Sequence, residues 1–475
     1  MEFITFYKLS RHFILGVFLL FSFTSFSQKI TSFSEDAETF LSELDIFLSQ
    51  TKNDELKQIS KKITKSFDKG EISSPEQKSI RNISNLMLEK KMKATPYFKD
   101  FLSVVIQLKD DEINKSKLSD WLTVSENIVL NFSSRQLLKY CEFSSSFLST
   151  KTLRNSKSVR WHADCNTFYF KDENGVPYIQ FISVIDLSCS NKNGSFQISG
   201  TKGKYWIQNN KFKGVGGRVD WKDRGWSSDS VYANLSTFSI DVKESQFKAD
   251  SVNFYNKSLF SISLIGKFSN KAVSGSSAEH YPVFKSYKKD IVLDNILPDV
   301  DYKGGYTLRG KDFIADGRED ASARIIIKKN GKEILVANSA RFIINKNTIF
   351  AESAIIKLYF DEDSMFHPSL QFTYNQGERK LRLYRDKKGV SGAPIYNSYH
   401  QLTIDAELIE WQIDEENILL GSLPSTSLSN INFESVSSYN DQMYHSLRGI
   451  DKVNPLILVS KFGRSNFSSA EFANY

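Results

Sequence analysis

The spacing of apolar residues changes once along the chain. From Ser34 to about Thr150 apolar residues recur at the period of an amphipathic helix. From about Arg160 to residue 420 they alternate with polar residues, and β-branched and aromatic residues become frequent, which is typical of strands. The pattern predicts an α+β multidomain protein, in which an antiparallel helical domain precedes a mainly antiparallel β-stack.

Six short helices are predicted in the first region, joined by short connections. Gly70 is expected to end the second helix, because glycine is favoured just past a helix C-terminus. Ser74 precedes Pro75 and stands three places before Gln77, a spacing that predicts a capping box at the start of the third helix. Later helices are expected to begin at Thr95-Pro96, Leu118 and Ser134.

Turn signals divide the second region into short strands. Asn174-Gly175 in FYFKDENGVPYIQF predicts a β-hairpin, because both turn residues accept a positive φ. Further turns are predicted at Asn193-Gly194, Gly216-Gly217, Gly304-Gly305, Asn330-Gly331 and Gln376-Gly377.

One motif recurs in this region: an apolar residue, Gly or Ala two places on (+2), and Ser or Gly at +4. Its copies are FKGVGGRVDW at Phe212, FKADSVNFY at Phe247, FIADG at Phe313, LVANSARFII at Leu335 and IFAESAIIKL at Ile349. The uneven spacing of the copies argues against a regular solenoid. An irregular jelly-roll or β-solenoid-like stack of hairpins with insertions is expected instead.

The tails of the last two copies switch phase. Apolar residues continue at +5, +7 and +9, so the inward face changes between +4 and +5, and a β-bulge or corner is expected there. The small residues are expected to let neighbouring backbones come close. The tail residues are Ala340, Phe342 and Ile344 in one copy and Ala354, Ile356 and Leu358 in the other.

The first residues have the layout of a secretory signal peptide. Lys8 and Arg11 precede an apolar run over residues 13–26, and Ser25 and Ser27 are small polar residues before Gln28. The apolar run is shorter than the roughly 20 residues of a spanning helix, which argues against a membrane anchor. Cleavage after Ser27 and export are predicted, to the periplasm, the outer membrane or the cell surface, with no transmembrane helix in the mature chain.

These observations predict four segments: a signal peptide over 1–27, a helical domain over 28–158, the β-stack over 159–420, and a linker with the start of a truncated C-terminal segment over 421–475. In the last segment, Ser469 before Glu471 and Phe472 is typical of a helix start. The chain is therefore interpreted as a fragment.

Charge and cysteine content exclude several function classes. The formal net charge is +7 and the two signs alternate along the chain, so no electrostatic footprint for nucleic acid is expected. Three cysteines, Cys141, Cys165 and Cys189, imply no disulfide framework, although pairing of the last two stays open. The six histidines and three cysteines form no metal-binding motif, so no metal or cofactor is predicted.

Catalytic signals are weak. Asp361, Glu362 and Asp363 are consecutive, and a solvated turn is favoured over a calcium or catalytic site. Residues 389–392, GVSG, lack the spacing of a nucleophile elbow. His162 and His400 have no identifiable partner, so structural roles are expected and no enzyme is predicted.

Four aromatic residues are candidates for a ligand surface that stacks on a sugar or a peptide. The alternative, that these rings belong to the core of the β-stack, is favoured by their strand context. The candidates are Tyr205, Trp206, Trp221 and Trp226.

Two resemblances extend this interpretation. The stretches GTKGKYWIQNNKFKGVGGRVDW, SIDVKESQFKADSVNFYNKSLF, DEDSMFHPSLQFTY and LRGIDKVNPLILVSKF resemble large secreted envelope proteins of Bacteroidota-type Gram-negative bacteria that have no assigned activity. That resemblance implies export and a multidomain envelope protein, and transfers no site. The recurrent motif resembles the β-jelly-roll of the lipopolysaccharide-transport family, which implies an open trough, although an ordinary β-rich stack explains the motif better.

The sequence therefore predicts an exported, non-enzymatic envelope scaffold or binding protein whose partner is an envelope protein, a lipid or a glycan. The alternative is an exported enzyme or carrier that acts on envelope polysaccharide or lipid through a groove in the β-stack.

Overall fold

The computed structural model describes residues 30–51, 53–274, 280–317, 321–385, 389–422 and 431–436. The predicted signal peptide and the predicted helix start at Ser469 lie outside these residues. No helix within the described ranges is long and apolar enough to cross a membrane.

The predicted order of helices followed by an antiparallel β-sheet is confirmed. A π-helical turn at Ala94–Phe98 precedes the fourth helix, and a 3-10 turn at Lys115–Lys117 precedes the fifth. In the described part of the chain the α-helices are α1 Ala37–Ser49, α2 Asp54–Asp68, α3 Ser74–Glu89, α4 Lys99–Asp110, α5 Leu118–Asn131 and α6 Ser134–Thr150.

Two helix boundaries show how local hydrogen bonding sets the ends. After α2, Gly70 has a φ of 64°, and the N–H of Glu71 donates to the Ser66 carbonyl at 3.0 Å, so glycine ends this helix as predicted. The capping box of α3 lies one residue earlier than predicted. Ser73 donates from its N–H (3.0 Å) and its hydroxyl (2.7 Å) to Glu76, whose carboxylate is the stronger acceptor, while Gln77 donates to the Ile72 carbonyl.

The strands that follow form an antiparallel sheet. They are β1 Thr152–Asn155, β2 Arg160–Asp164, β3 Phe168–Glu173, β4 Val176–Asn191, β5 Gly194–Trp206, β6 Lys211–Val215, β7 Arg218–Asp220, β8 Val231–Asn234, β9 Thr237–Asp241, β10 Gln246–Asn256, β11 Leu264–Lys271, β12 Val283–Ser286, β13 Ile291–Leu297, β14 Val300–Gly304, β15 Thr307–Arg309, β16 Asp312–Asp316, β17 Ala323–Lys329, β18 Lys332–Ser339, β19 Arg341–Ile344, β20 Thr348–Phe360, β21 Asp363–Asn375, β22 Lys380–Tyr384, β23 Ile395–Asn397, β24 Leu402–Asp405, β25 Leu408–Gln412, β26 Ile418–Gly421 and β27 Asn432–Ser435.

The described residues form two compact units. The first contains the helices, the strands up to Val219, and the segments Asn234–Asp250 and Asn270–Ser274. The second contains Asp220–Ala233, Ser251–Ser269 and the described residues from 280 onward.

In the first unit, helices α5 and α6 pack on the early strands through aromatic rings. Trp121 stacks on Tyr140 with ring centroids 5.6 Å apart, and Tyr140 meets the edge of Phe170 in β3 at 6.2 Å. Phe147 packs on Phe168 at 4.9 Å. The apolar stripes of the helices are thus buried against the sheet as well as against each other.

Rings also fill the interior of each unit. In the first unit neighbouring ring centroids are 5.6 to 6.1 Å apart along the series Trp161, Phe196, Phe247, Phe238, Phe212 and Phe181. In the second unit the Phe254 ring lies 5.2 Å from that of Trp221, 4.2 Å from that of Phe284 and 5.6 Å from that of Tyr306. The Tyr306 ring lies 4.7 Å from that of Phe313. Aromatic side chains therefore occupy these interiors.

The predicted switch of phase is present in the strands that carry the motif. In β20, Ile349 and Ala351 are buried, and the next buried residue is Ala354. The pairing register of β20 with β21 shifts between Ala351 and Ala354, which is the predicted bulge. In β10, Ser251 is exposed, with a φ of 53°, at the corresponding position.

The copy at Leu335 departs from the prediction at one residue. Ala340 is exposed, and the buried series resumes at Phe342. The chain bends at Ala340 between β18 and β19, so the extra residue is at the bend and faces solvent.

Two strands without a small residue at +2 share the same burial pattern. In β5, the switch follows Gly200, which has a φ of 68°. In β21, His367 occupies the +2 position and Ser369 the +4 position, and Leu370 resumes the buried series. The phase switch therefore also occurs in strands that lack the small residue at +2.

The small residues lie opposite large ones on the neighbouring strand. Ala315 pairs with Phe342, Ala337 with Ile356, Ala351 with Phe372 and Gly214 with Phe238. A Cβ on Gly214 would lie 2.2 Å from the Phe238 ring. These positions are small because the facing side chain fills the space.

We expect Gly214→Ala to lower the free energy of unfolding by about 1–3 kcal/mol, because the added methyl overlaps the Phe238 ring. The measurement is urea unfolding followed by tryptophan fluorescence. Adding Phe238→Leu shortens the opposing side chain, so the double variant should lose less stability than the sum of the two single variants. Additive losses would contradict the proposed contact.

Candidate functional site

One outer sheet face of the first unit is rich in lysine and aromatic side chains. Strand register places Lys171, Tyr178, Trp206 and Lys211 side by side across β3, β4, β5 and β6, and Asp241 of β9 ends this row. We call this surface the lysine–aromatic face; its members are Tyr169, Lys171, Tyr178, Lys202, Lys204, Trp206, Lys211 and Lys213.

A second row lies beside the first on the same face. It runs from Tyr169 in β3 through Gln180 and Lys204 to Lys213 in β6, and ends at Ser239 in β9. Because residues two apart on a strand share a face, both rows are presented to the same side of the sheet.

The rings hold the lysine head groups in place. The Lys204 ammonium lies 4.7 Å from the centroid of the Tyr178 ring, and the Lys213 ammonium lies 5.0 Å from that of Trp206. Tyr178 and Trp206 stack on each other at 5.5 Å. Such cation–π contacts favour fixed ammonium positions over the many rotamers of a free lysine.

The charges on this face are unbalanced. None of its five lysines has an ion pair with a carboxylate of the described residues. Lys204 and Lys213 are directly opposite each other on paired strands, an arrangement of like charges that destabilises a sheet. An anionic ligand would relieve that repulsion.

The spacing of lysines along two neighbouring strands marks this face in the sequence, although the overall charge pattern does not. Lys202 and Lys204 are two residues apart on β5, and Lys211 and Lys213 are two residues apart on β6. The hairpin between the two strands brings all four together, although the overall charge alternates in sign along the chain.

The four candidate ligand-surface residues differ in burial and belong to different units. Trp206 is half-buried on the lysine–aromatic face, whereas Tyr205 points to the opposite side and is only 1% exposed. The Tyr205 hydroxyl donates to the Leu153 carbonyl at 3.1 Å, and burial raises the pKa of this side chain. Tyr205 is therefore a core residue.

The other two candidates belong to the second unit. Trp221 is fully buried, with its ring 5.2 Å from that of Phe254 and 5.9 Å from that of Phe268. Trp226 is half-buried in a loop. Tyr205 and Trp221 are therefore buried in the core, which is the alternative that their sequence context favoured.

A row of serine hydroxyls crosses several strands of the second unit at +4 positions. Ser339 donates to the Ser353 carbonyl at 2.6 Å, and the hydroxyls of Ser353 and Ser369 are 2.8 Å apart. The Ser369 hydroxyl is 2.9 Å from that of Ser391, which belongs to the GVSG stretch.

His367 lies beside this row but is held by the backbone. Its Nδ1 accepts from the Ser369 N–H at 3.0 Å, so its Nε2 carries the proton and donates to the Ala393 carbonyl at 2.8 Å. Burial lowers the pKa of His367. Both ring nitrogens are occupied, so His367 is not arranged to accept a proton from a serine hydroxyl.

A polar cavity of about 360 Å³ lies near the last strands of the second unit. Arg385, whose side chain is 4% exposed, forms an ion pair with Asp405 and donates to the Ala393 carbonyl at 2.9 Å. Asp405 lies opposite Asn432 on the paired strand, and Glu434 lies opposite Thr403; all four line the cavity.

The three cysteines are buried and unpaired. Burial raises the pKa of the Cys165 thiol to about 11 and that of Cys189 to about 12, so both stay protonated at neutral pH. Asp164 pairs with Asp186 on β4, which separates Cys165 and Cys189 by about four residues, or roughly 13 Å, along the paired strands. A disulfide requires Cα atoms within about 7 Å, so the open pairing of these two does not form in this fold.

The acidic triplet forms a hairpin turn. Asp361 has a φ of 55° and an ion pair with Lys332 at 2.7 Å, which lowers the pKa of its carboxyl. Asp363 accepts from the Ser398 hydroxyl at 2.9 Å. In the described ranges, no group of three or more His, Cys, Asp or Glu side chains is placed to hold a metal ion.

We expect the buried His367 to make stability depend on pH. Its folded pKa lies below the unfolded value of about 6.5, so the unfolded chain binds a proton that the folded chain does not, and stability falls as the pH drops below about 6.5. The slope from this one group is at most about 1.4 kcal/mol per pH unit. Urea unfolding at about pH 7.5 and about pH 5.5 should therefore show a smaller pH effect in His367→Asn than in the wild type.

His280→Asn is the matched control, because His280 is exposed. Its pH effect should equal that of the wild type. An unchanged pH effect in His367→Asn would contradict the role assigned to His367.

No protein-family model matches this chain, and neither a curated protein nor a solved structure is significantly similar to it.

Proposed function

We propose that this protein is an exported, non-enzymatic scaffold or binding protein of the bacterial cell envelope. The observation that carries the proposal is the filled interior of each unit, in which side chains such as Phe212 and Phe254 are fully buried. A protein whose interior is filled offers its outer faces to partners. The signal-peptide pattern of the first 27 residues supports export.

The filled interior argues against a lipid carrier. An apolar cavity of about 220 Å³ lies at the last strands, lined by residues that include Met365, Leu402, Leu420 and Phe433. This volume is below the roughly 300–1,000 Å³ typical of pockets that enclose a small-molecule ligand.

The polar groups around His367 support a non-enzymatic role. The ring nitrogens of His367 bind the backbone, and the serine hydroxyls beside it bind one another. A catalytic base needs a free nitrogen within reach of the group that it activates. The hydrogen bonds of this network instead connect neighbouring strands.

One observation favours an exported enzyme that acts on polysaccharide as a second candidate. Asp405 and Glu434 both line the polar cavity, with Arg385 beside them. Two carboxylates that face one cavity are the arrangement used by most glycoside hydrolases. The ion pair of Asp405 with Arg385 gives this carboxylate a structural role as well.

The proposed scaffold or binding role is tested by opening the interior. Phe254→Ala should lower the free energy of unfolding by about 3–5 kcal/mol, because the lost ring leaves a cavity between Trp221, Phe284 and Tyr306. Tyr255→Ala, on the half-buried neighbouring side chain, is the control and should lower the free energy of unfolding by less.

Lipid extraction tests the binding role directly. Organic extracts of the purified wild type, analysed by mass spectrometry, should contain fewer lipid molecules than protein chains. Lipid in a one-to-one ratio with the protein would contradict the proposal.

The second candidate predicts a different result. If the cavity is hydrolytic, wild-type protein releases reducing ends from envelope polysaccharide, and Glu434→Gln abolishes the release. We expect no release from either protein. Thr403→Ser, which keeps a hydroxyl in the same cavity, controls for indirect effects on the fold.

A further inference from the structure

We propose that the lysine–aromatic face binds an acidic polysaccharide. This inference rests on the proposed function, an exported protein that acts by binding, and names the class of ligand and the surface that takes it. The surface lies in the first unit and is separate from the polar cavity near Arg385.

Charge complementarity is the first argument. Lys171, Lys202, Lys204, Lys211 and Lys213 share one sheet face with two acidic residues, Asp241 at the end of a row and Glu173 at the end of β3, so positive charge is in excess. These lysines have no ion pair among the described residues, so their charges are available to a ligand. The opposition of Lys204 to Lys213 costs stability in the free protein, and bound anions would remove that cost.

The shape of the surface favours a chain over a small ion. Lys171 and Lys211 lie in one row three strands apart, which at about 4.8 Å per strand is roughly 14 Å. A single phosphate or sulfate contacts one or two ammonium groups at that spacing. A linear polymer with one carboxylate per sugar, lying across the strands, would contact several of these ammonium groups in succession.

The rings favour a saccharide over a nucleic acid. Proteins that bind single-stranded nucleic acid offer open ring faces on which the bases stack. Here Tyr178 and Trp206 stack on each other, Tyr178 is only 8% exposed, and the Lys204 and Lys213 ammonium groups lie over the rings. The rings therefore position the two ammonium groups, and the ammonium groups would bind the carboxylates of the polymer.

The experiment uses polygalacturonate as the probe and isothermal titration calorimetry on the full chain. The double variant Lys204→Gln, Lys213→Gln should bind about tenfold more weakly, and its affinity should fall less steeply with added salt, because two charge contacts are lost. Trp206→Leu should weaken binding as well, since it removes the ring beneath the Lys213 ammonium. Thermal unfolding of each variant checks that the fold is kept.

A matched control removes the same charge elsewhere in the first unit. Lys61 and Lys62 are exposed on α2 and are not members of the lysine–aromatic face, so Lys61→Gln, Lys62→Gln should bind like the wild type. Equal loss in both double variants would mean that only overall charge matters and would overturn the assignment. So would equal affinity for neutral dextran, or tighter binding of a thymidine oligonucleotide or of vesicles with anionic lipid.

Failure of this inference differs from failure of the proposed function. Stoichiometric lipid or released reducing ends would remove the proposed function, whatever binds the lysine–aromatic face. Absence of polygalacturonate binding by a lipid-free, inactive protein would remove only the acidic-polysaccharide assignment.

Discussion

The fold depends on one steric constraint: where two strands approach, a small side chain on one must face a large side chain on the other. Gly214 against Phe238 shows this constraint directly, because an added Cβ would lie 2.2 Å from the ring, and Ala315 against Phe342 repeats the small–large pairing in the second unit. Packing at this density leaves no room for a methyl group at Gly214, so the residue type is set by its neighbour.

Much of the fold could be predicted because periodicity reports which face of an element is buried. The helices and the bulges are local consequences of apolar spacing, and the switch in β20 is visible in the sequence itself. Ala340 was misplaced because an alanine is compatible with either face of a strand, so its spacing carries little information. The box at Ser73 was missed because two serines in succession offer two possible first residues, and only the hydrogen bonds decide between them.

The candidate site was harder to predict because it depends on pairing between strands. Trp206 was identified for its ring, but Lys204 and Lys213 acquire meaning only when the β5–β6 hairpin places them opposite each other. His367 could not be interpreted from the sequence for a related reason. Its partners are the Ser369 amide and the Ala393 carbonyl, and backbone groups leave no mark on residue type.

The bulge in β20 also determines how the strand would respond to changes in length. Ile349 and Ala351 follow one inward phase, and Ala354 and Ile356 follow the other, because the strand contains one residue more than strict alternation requires. Deleting Glu352 would make the inward-facing residues of β20 alternate strictly along the whole strand. The neighbouring strand β21 would keep its own register shift. Each such strand thus has two halves with separate alternation of inward-facing residues, joined at the bulge. The alternation in one half therefore does not constrain the sequence of the other half.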